Sequence, residues 1–268
     1  FRNTGNGTFE DVGAIAGVAF DVDGNARGAM GIDISRFRNS DALGIAIGNF
    51  SNEMTALYVT QQLGRPAGGF PVFNDEAVSN GLGPATRLEL TFGLFFFECD
   101  LDGRPDLLAA NGHLEDDINL VQASQHYEQP PQLYWNCGPE HSTEFMPVPA
   151  ANVGSDLVRP MVGRGSSFAD IDGDGDLDVV LVGSGQKPRL LRNDQQTGHH
   201  WLRVKPVGST SNRDAIGAEV EVTVDGTVRR QTVMPTRSYI SQVELPVTFG
   251  LGSADKVDKL TIRWPSGK

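Results

Sequence analysis

The nonapeptide DIDGDGDLD at residues 170–178 places an acid at every second position, with Gly173 and Gly175 between them. A tight loop can turn the carboxylates of Asp170, Asp172 and Asp174 inward together, because both glycines permit the positive φ that such a turn needs. The backbone carbonyl of Asp176 and the carboxylate of Asp178 can complete an oxygen cage. That cage suits a hard cation taking ~6–8 oxygen ligands, and Ca²⁺ is the expected guest. An EF-hand uses the same first, third and fifth positions but needs Glu at the twelfth and a helix on each side. Here the twelfth residue is Leu181, and the flanking runs read as strands. Without an ion the crowded carboxylates lack a counter-charge, which is costly.

Working outward, the loop belongs to a repeated unit. A glycine-containing apolar stretch opens each copy: GAMGIDI at 28–34, TFGLFFFEC at 91–99 and VGRGSSFAD at 162–170. A polar loop follows, then a short apolar strand: LGIAIG from Leu43, DLLAAN from Asp106, DVVLVG from Asp178. Next comes a strand ending in an aromatic residue or Leu plus a polar residue: ALYVT at 56–60, LYWN at 133–136, LLRN at 190–193. FRN at 1–3 fits that same slot, and a further element recurs at Phe9, Phe73 and Phe145. Four short strands per unit with glycine-rich turns are what a β-propeller blade requires, since each sheet hides its faces only against its neighbours. A β-sandwich with accidental similarity is the alternative. The third unit lacks a fourth strand of its own, so another segment is expected to complete it.

The cognate loops differ in charge. ECDLDGRPD at 98–106 keeps the acidic pattern in Glu98, Asp100, Asp102 and Asp106, with the Arg104 carbonyl as a further oxygen, so a second Ca²⁺ is expected there. RFRNSDALG at 36–44 has Arg36, Arg38 and Ser40 in place of acids and Gly44 in place of Asp, so no ion is expected. Either Arg36 or Arg38 supplies the positive charge instead, reaching loop carbonyls or Asp41, or both arginines point to solvent.

The chain has 268 residues with 34 acidic against 22 basic side chains, a formal net charge of −12, which opposes a nucleic-acid or anionic lipid partner. Its longest strongly apolar run, Leu94-Phe95-Phe96-Phe97, is far too short to span a bilayer. The start at Phe1, inside a repeat, reads as part of a longer chain. Between the second and third strands of the middle unit, residues 114–129 carry Leu114, Ile118 and Val121 at helical spacing, with Glu115, Asp116 and Asp117 placed for the first turn; this predicts a short helix laid across one end of the blade.

No catalytic word occurs in a suitable context. His113 is conceivable as a base or ligand but reads more simply as packing or hydrogen-bonding the insert; His199 and His200 precede a strand and face opposite ways, so they fit a junction better than a chelate. In SNRDAIG an Arg213–Asp214 ion pair is expected to stabilise the turn. Cys99 and Cys137 end strands two sheet spacings apart, about 9–10 Å, which argues against a disulfide. Asn6-Gly7-Thr8 and Asn49-Phe50-Ser51 have the form of glycosylation acceptors.

The acidic loops resemble those of the FG-GAP and VCBS repeats of integrin-like propellers. GHHWLRVKPVGSTSNRDAIGAEVEV at 198–222 and SYISQVELPVTFGLGSADKVDKLTIRWPSGK at 238–268 are similar to the ASPIC/UnbV domain that follows such repeats in cartilage acidic protein-like proteins. Independently, Val220, Val222 and Val224 alternate, Asp225-Gly226 signals a hairpin, and KLTIRW alternates again, so 199–268 reads as antiparallel β. The expected organisation is the end of a preceding blade and a connector over 1–27, about three blades over 28–198, and a small β domain over 199–268. The resemblance implies a secreted or cell-surface calcium-binding propeller, extracellular or periplasmic, with no established general activity; the first loop departs from the acidic pattern. The resulting expectation is a non-enzymatic binding or assembly module for a protein or glycan partner. An enzyme or biosynthetic accessory using a propeller pocket, and a structural subunit of a surface layer or filament, are the alternatives.

Overall fold

Short β-branched and aromatic runs punctuated by glycine turns form strands, and in the computed structural model, which describes residues 1–61 and 70–267, they assort into separate antiparallel sheets of an all-β chain. β1 (Arg2–Asn3) and β2 (Phe9–Glu10) form a ribbon, followed by the single turn α1 (Gly13–Ala16). β3 (Ile32–Ser35), β4 (Gly44–Ile47), β5 (Ala56–Thr60) and β6 (Phe73–Asp75) make a four-stranded meander, paired in sequence order. After α2 (Gly83–Thr86), a second meander runs β7 (Thr91–Phe97), β8 (Asp106–Asn111), β9 (Gln132–Asn136) and β10 (Phe145–Pro147), with α3 (Ile118–Val121) between β8 and β9. α4 (Ser155–Val158) then leads to β11 (Gly163–Ala169), β12 (Asp178–Gly183) and β13 (Arg189–Leu191), a three-stranded sheet. These are blade-like sheets with the strand order that the repeat implies.

The apolar run at 94–97 has a two-sided explanation. Leu94 and Phe96 face the first sheet, packing with Phe37, Leu57, Tyr134 and Phe145, while Phe95 and Phe97 face the third, against Leu177, Val179 and Leu181. The middle sheet is therefore covered on both faces, and its first strand needs apolar residues at consecutive positions rather than alternate ones.

Among the described residues the third sheet has three strands, no segment completes it as a fourth, and β14 (His200–Val204) does not continue it. β14 pairs with β19 instead, in a C-terminal unit that also holds β15 (Glu219–Val224), β16 (Thr227–Thr232), β17 (Thr236–Arg237), β18 (Ser241–Gln242), β19 (Val247–Gly252) and β20 (Lys259–Arg263). Val220, Val222 and Val224 sit in its core with Phe249 and Leu251. Asp225 and Gly226 both take positive φ, 49° and 76°, as a two-residue hairpin turn requires. Lys268, the last residue of the WPSGK word, lies outside the described residues.

The insert departs from expectation. Its helix is one turn, starting at Ile118, so Glu115 and Asp116 precede it, and Leu114 and Val121 are exposed. The insert is fastened by polar groups instead: His113 N–H donates to Tyr127 O, and buried Gln129 accepts from Leu90 N–H and exchanges backbone bonds with Met161. With the backbone so tied, the apolar stripe is not needed to hold it. The turn at 212–216 is also held differently. Asn212 accepts from Ile216 N–H and donates to Ile216 O, and no ion pair joins the exposed Arg213 and Asp214 among the described residues.

Glu89 lies beside the buried Tyr134 hydroxyl, and burial pushes its carboxyl up to about 7. A carboxyl raised in the folded state favours folding most below its unfolded pKa and loses that contribution as pH rises towards the folded value. Glu89→Gln should therefore gain about 2 kcal/mol relative to wild type between pH 4.5 and 7, read from urea unfolding at both pH values. A constant difference would place Glu89 in water.

Candidate metal centres and the loop ends of the sheets

The three cognate loops lie at the strand-one to strand-two corners of their sheets. In the loop at 170–178, Gly173 and Gly175 take φ of 82° and 98°. One oxygen from each of Asp170, Asp172 and Asp174 then falls within 4.8 Å of the others. Asp170 also accepts from Gly173 N–H at 2.8 Å and is paired with Arg203, which gives this loop a counter-charge that the sequence did not reveal. Asp174 accepts from Asp176 N–H at 3.0 Å, and Asp176 accepts from the Gln195 amide at 2.6 Å. Desolvation, then the charges of Asp174 and Asp178, push Asp172 above the ordinary carboxylate range. Asp176 is raised by burial, partly offset by Gln195 and reinforced by its acidic neighbours. All donors are oxygens, several are crowded, and the set fits a hard cation better than a transition metal.

The ninth position of each acidic loop works as a clasp. Asp178 accepts from Ile171 N–H at 3.0 Å and from Asn193 N–H at 2.8 Å; Asp106 accepts from Cys99 N–H at 3.0 Å and from Asn136 N–H at 2.8 Å. These carboxylates close the loop onto the end of strand three, and each oxygen keeps a lone pair for a further partner.

The loop at 98–106 is only partly assembled for a cation. Leu101 and Gly103 take the two positive-φ positions, at 60° and 92°. Asp100 and Asp106 converge, together with Cys99. The Cys99 thiol is pushed well up, chiefly by burial and then by Asp106, so it stays protonated and adds no hard donor. Asp102 is ion-paired with Arg104, whose Nε also donates to Asn136 O at 2.9 Å. Glu98 turns under Gly103 N–H, and burial, then Asp102 and Asp106, raise it to about 8; Asp106 also rises to about 8, from burial and then Asp100. Of the expected oxygens, Asp100 and Asp106 are together, while Glu98 and Asp102 are engaged elsewhere.

In the loop at 36–44 only Asn39 takes a positive φ. Gly44 has no clasping side chain, and a Cβ there would collide with the buried Phe37 ring. Arg36 Nη1 donates to Asp41 O at 3.0 Å, so a guanidinium does enter this loop. Arg38 does not: it leaves for Glu144, at 2.8 Å from Nε, and Glu76, at 2.7 Å from Nη2.

No local pattern in the sequence marks the relation between these loops and the C-terminal unit. The first residue of each loop meets an opposite charge from that unit: Arg36 with Glu219 at 3.3 Å, Glu98 with Arg229, and Asp170 with Arg203 at 2.9 Å. Where the loop residue reverses sign, so does its partner. The FGLG word acquires a reason as well. Phe249 and Leu251 enter the C-terminal core, a side chain at Gly250 would strike the Leu101 backbone, and Gly252 N–H donates to Leu101 O at 3.0 Å. His199 Nδ1 donates to Asp100 O at 2.7 Å, fastening the junction as its position implied.

Between these loops and the C-terminal unit lies a crevice of about 340 Å³, floored by Phe96, Phe168 and Leu245. Its arginines are engaged: Arg36 as above, Arg230 with Glu221 and Asp41, Arg237 with Asp33. His113 is held at both ring nitrogens. Its Nδ1 accepts from Glu115 N–H at 3.0 Å, which leaves the proton on Nε2 to be donated to Ser51 Oγ at 3.3 Å. Burial lowers the His113 pKa further, favouring this neutral form. Both cysteines are free thiols. Asn49 is buried and donates to Met54 O, so only Asn6 of the two acceptor words is exposed. No helix among the described residues is long and apolar enough to cross a membrane.

Two family models match: an FG-GAP-like repeat over residues 99–181 and ASPIC and UnbV over 208–268. Across its full length the chain is similar to cartilage acidic protein 1, with 26% identity to the mouse and human proteins and 24% to that of Xenopus tropicalis. It spans 38%, 37% and 38% of those relatives respectively.

Proposed function

We propose that a chain built of FG-GAP-like repeat and ASPIC/UnbV segments works as a calcium-stabilised, non-catalytic binding or assembly module outside the cytoplasm. The observation that carries this reading is the convergence of Asp170, Asp172 and Asp174 in a loop whose two glycines hold the required positive φ. Asp178 and the carbonyl of Asp176 would complete that ligand set. A second, weaker site would use Asp100, Asp106 and the carbonyl of Arg104, with Glu98 and Asp102 recruited at the cost of their present partners. The ion supplies a positive charge that relieves carboxylate crowding, and it stabilises by mass action because the folded loop binds it and the unfolded chain does not. The loop at 36–44 draws its positive charge from Arg36 and needs no ion.

A rigid set of loop ends suits recognition of a protein or glycan surface, whereas the net charge of −12 opposes a polyanion. Similarity to cartilage acidic protein 1 supports the extracytoplasmic setting. Thermal unfolding in 1 mM Ca²⁺ against excess chelator is the test. An ion held with a dissociation constant of about 10 μM adds ~2.7 kcal/mol at that concentration, roughly 5–10 °C for a chain of this size. An unchanged midpoint removes calcium from the account.

A further inference from the structure

We infer that the crevice between the repeat sheets and the C-terminal unit binds a small amphiphile with one carboxylate on an apolar body. This goes beyond the calcium reading and does not depend on it. The crevice holds about 340 Å³, within the ~300–1,000 Å³ typical of small-ligand sites, which combine apolar walls with a few placed polar groups. Its walls converge from distant parts of the chain: Leu43 beside β4, Phe96 on β7, Phe168 on β11, and Met234 and Leu245 of the C-terminal unit.

One polar group of the lining is buried without a partner. Val247, Phe249 and Leu251 enter the core of the C-terminal unit, and side chains alternate along a strand, so Thr248 faces the other way, with Gly250. Gly250 backs onto the Leu101 backbone, so this face of β19 looks towards the repeat sheets. Thr248 lines the crevice and is 4% exposed, and its Oγ has no hydrogen-bond partner among the described residues. A buried hydroxyl left unpaired costs stability, and an acceptor on a ligand removes that cost.

The other open groups of the lining are donors too. Arg36, Arg230 and Arg237 each commit two nitrogens to protein acceptors. Arg36 Nε and the Nη2 atoms of Arg230 and Arg237 have no partner among the described residues. The two acids of the lining are closed: Glu244 gives its oxygens to Asp170 N–H and Arg203, and Glu98 lies under Gly103 N–H beside Arg229. Donors without acceptors beside aromatic and aliphatic walls select an anionic head on an apolar body. A single charge fits, because the net charge of −12 opposes a polyanion.

The test is calorimetric titration of the whole chain with decanoate, without added calcium so that this inference and the calcium reading fail separately. Saturable binding is expected, with decanol, which has the same apolar body and no charge, weaker by roughly tenfold or more. Thr248→Val keeps the shape and removes a hydroxyl that has no partner, so the thermal midpoint should hold while decanoate binding weakens roughly fivefold. Should Thr248→Val fail to fold, the Met234 methyl resonance of the wild type supplies the same reading, shifting on addition of decanoate and not on addition of decanol at equal concentration. Absence of decanoate binding, equal affinity for the two compounds, undiminished binding by Thr248→Val or an unshifted Met234 methyl would overturn the inference.

Discussion

Arg237→Met is expected to destabilise the chain by about 3–5 kcal/mol, more than any other single exchange of a charged residue, because it strands a buried carboxylate. Asp33, on β3, has a fully buried side chain; it accepts from Phe96 N–H of the second sheet at 2.8 Å and meets Arg237 Nη1 at 3.0 Å. Burial raises the Asp33 pKa and Arg237 opposes that rise, so the guanidinium is what keeps the charged form tolerable. One side chain thus ties the first sheet, the second sheet and the C-terminal unit. Urea unfolding should show the loss, and the Asp33→Asn/Arg237→Met double variant should recover part of it because the uncompensated charge is gone. A loss below about 1 kcal/mol would mean that the junction is held elsewhere.

Asn136→Ala is expected to cost about 2–4 kcal/mol through buried groups left unpaired. Its Nδ2 donates to Phe37 O at 2.9 Å, in the preceding loop, and to Pro105 O at 3.1 Å, while its Oδ1 accepts from Gly138 N–H at 3.2 Å. Asn193 repeats the device one sheet on, donating to Cys99 O at 2.7 Å. Because the bond crosses from one sheet to its neighbour, the loss should appear in the unfolding free energy and in faster amide exchange at the 36–44 loop. Asn193→Ala should cost less, since its site is only half-buried. Equal effects at both positions would argue against burial as the cause.

These staples show what the sequence could carry. The polar residue closing LYWN, LLRN and FRN was visible as part of a repeat, and so were the acidic loops, because local spacing fixes them. The consecutive apolar residues at 94–97 were legible as a strand, although their two-sided burial needed the neighbouring sheets. What stayed hidden depends on long-range contacts. Arg203, Arg229 and Glu219 carry no local pattern, and they gain meaning only when the C-terminal unit sits on the loops with a charge for each first position. The same holds for Glu98 and Asp102, whose spacing is that of ligands but whose partners are Gly103 N–H and Arg104. The insert misled because helical spacing of Leu114, Ile118 and Val121 says nothing of how firmly the flanking backbone is already tied.

Calorimetric titration of the chain with Ca²⁺ should show two binding events, the tighter one abolished by the Asp172→Asn/Asp174→Asn variant with the weaker one left in place. No heat up to millimolar Ca²⁺, or a tight event that survives that double substitution, would contradict the calcium reading.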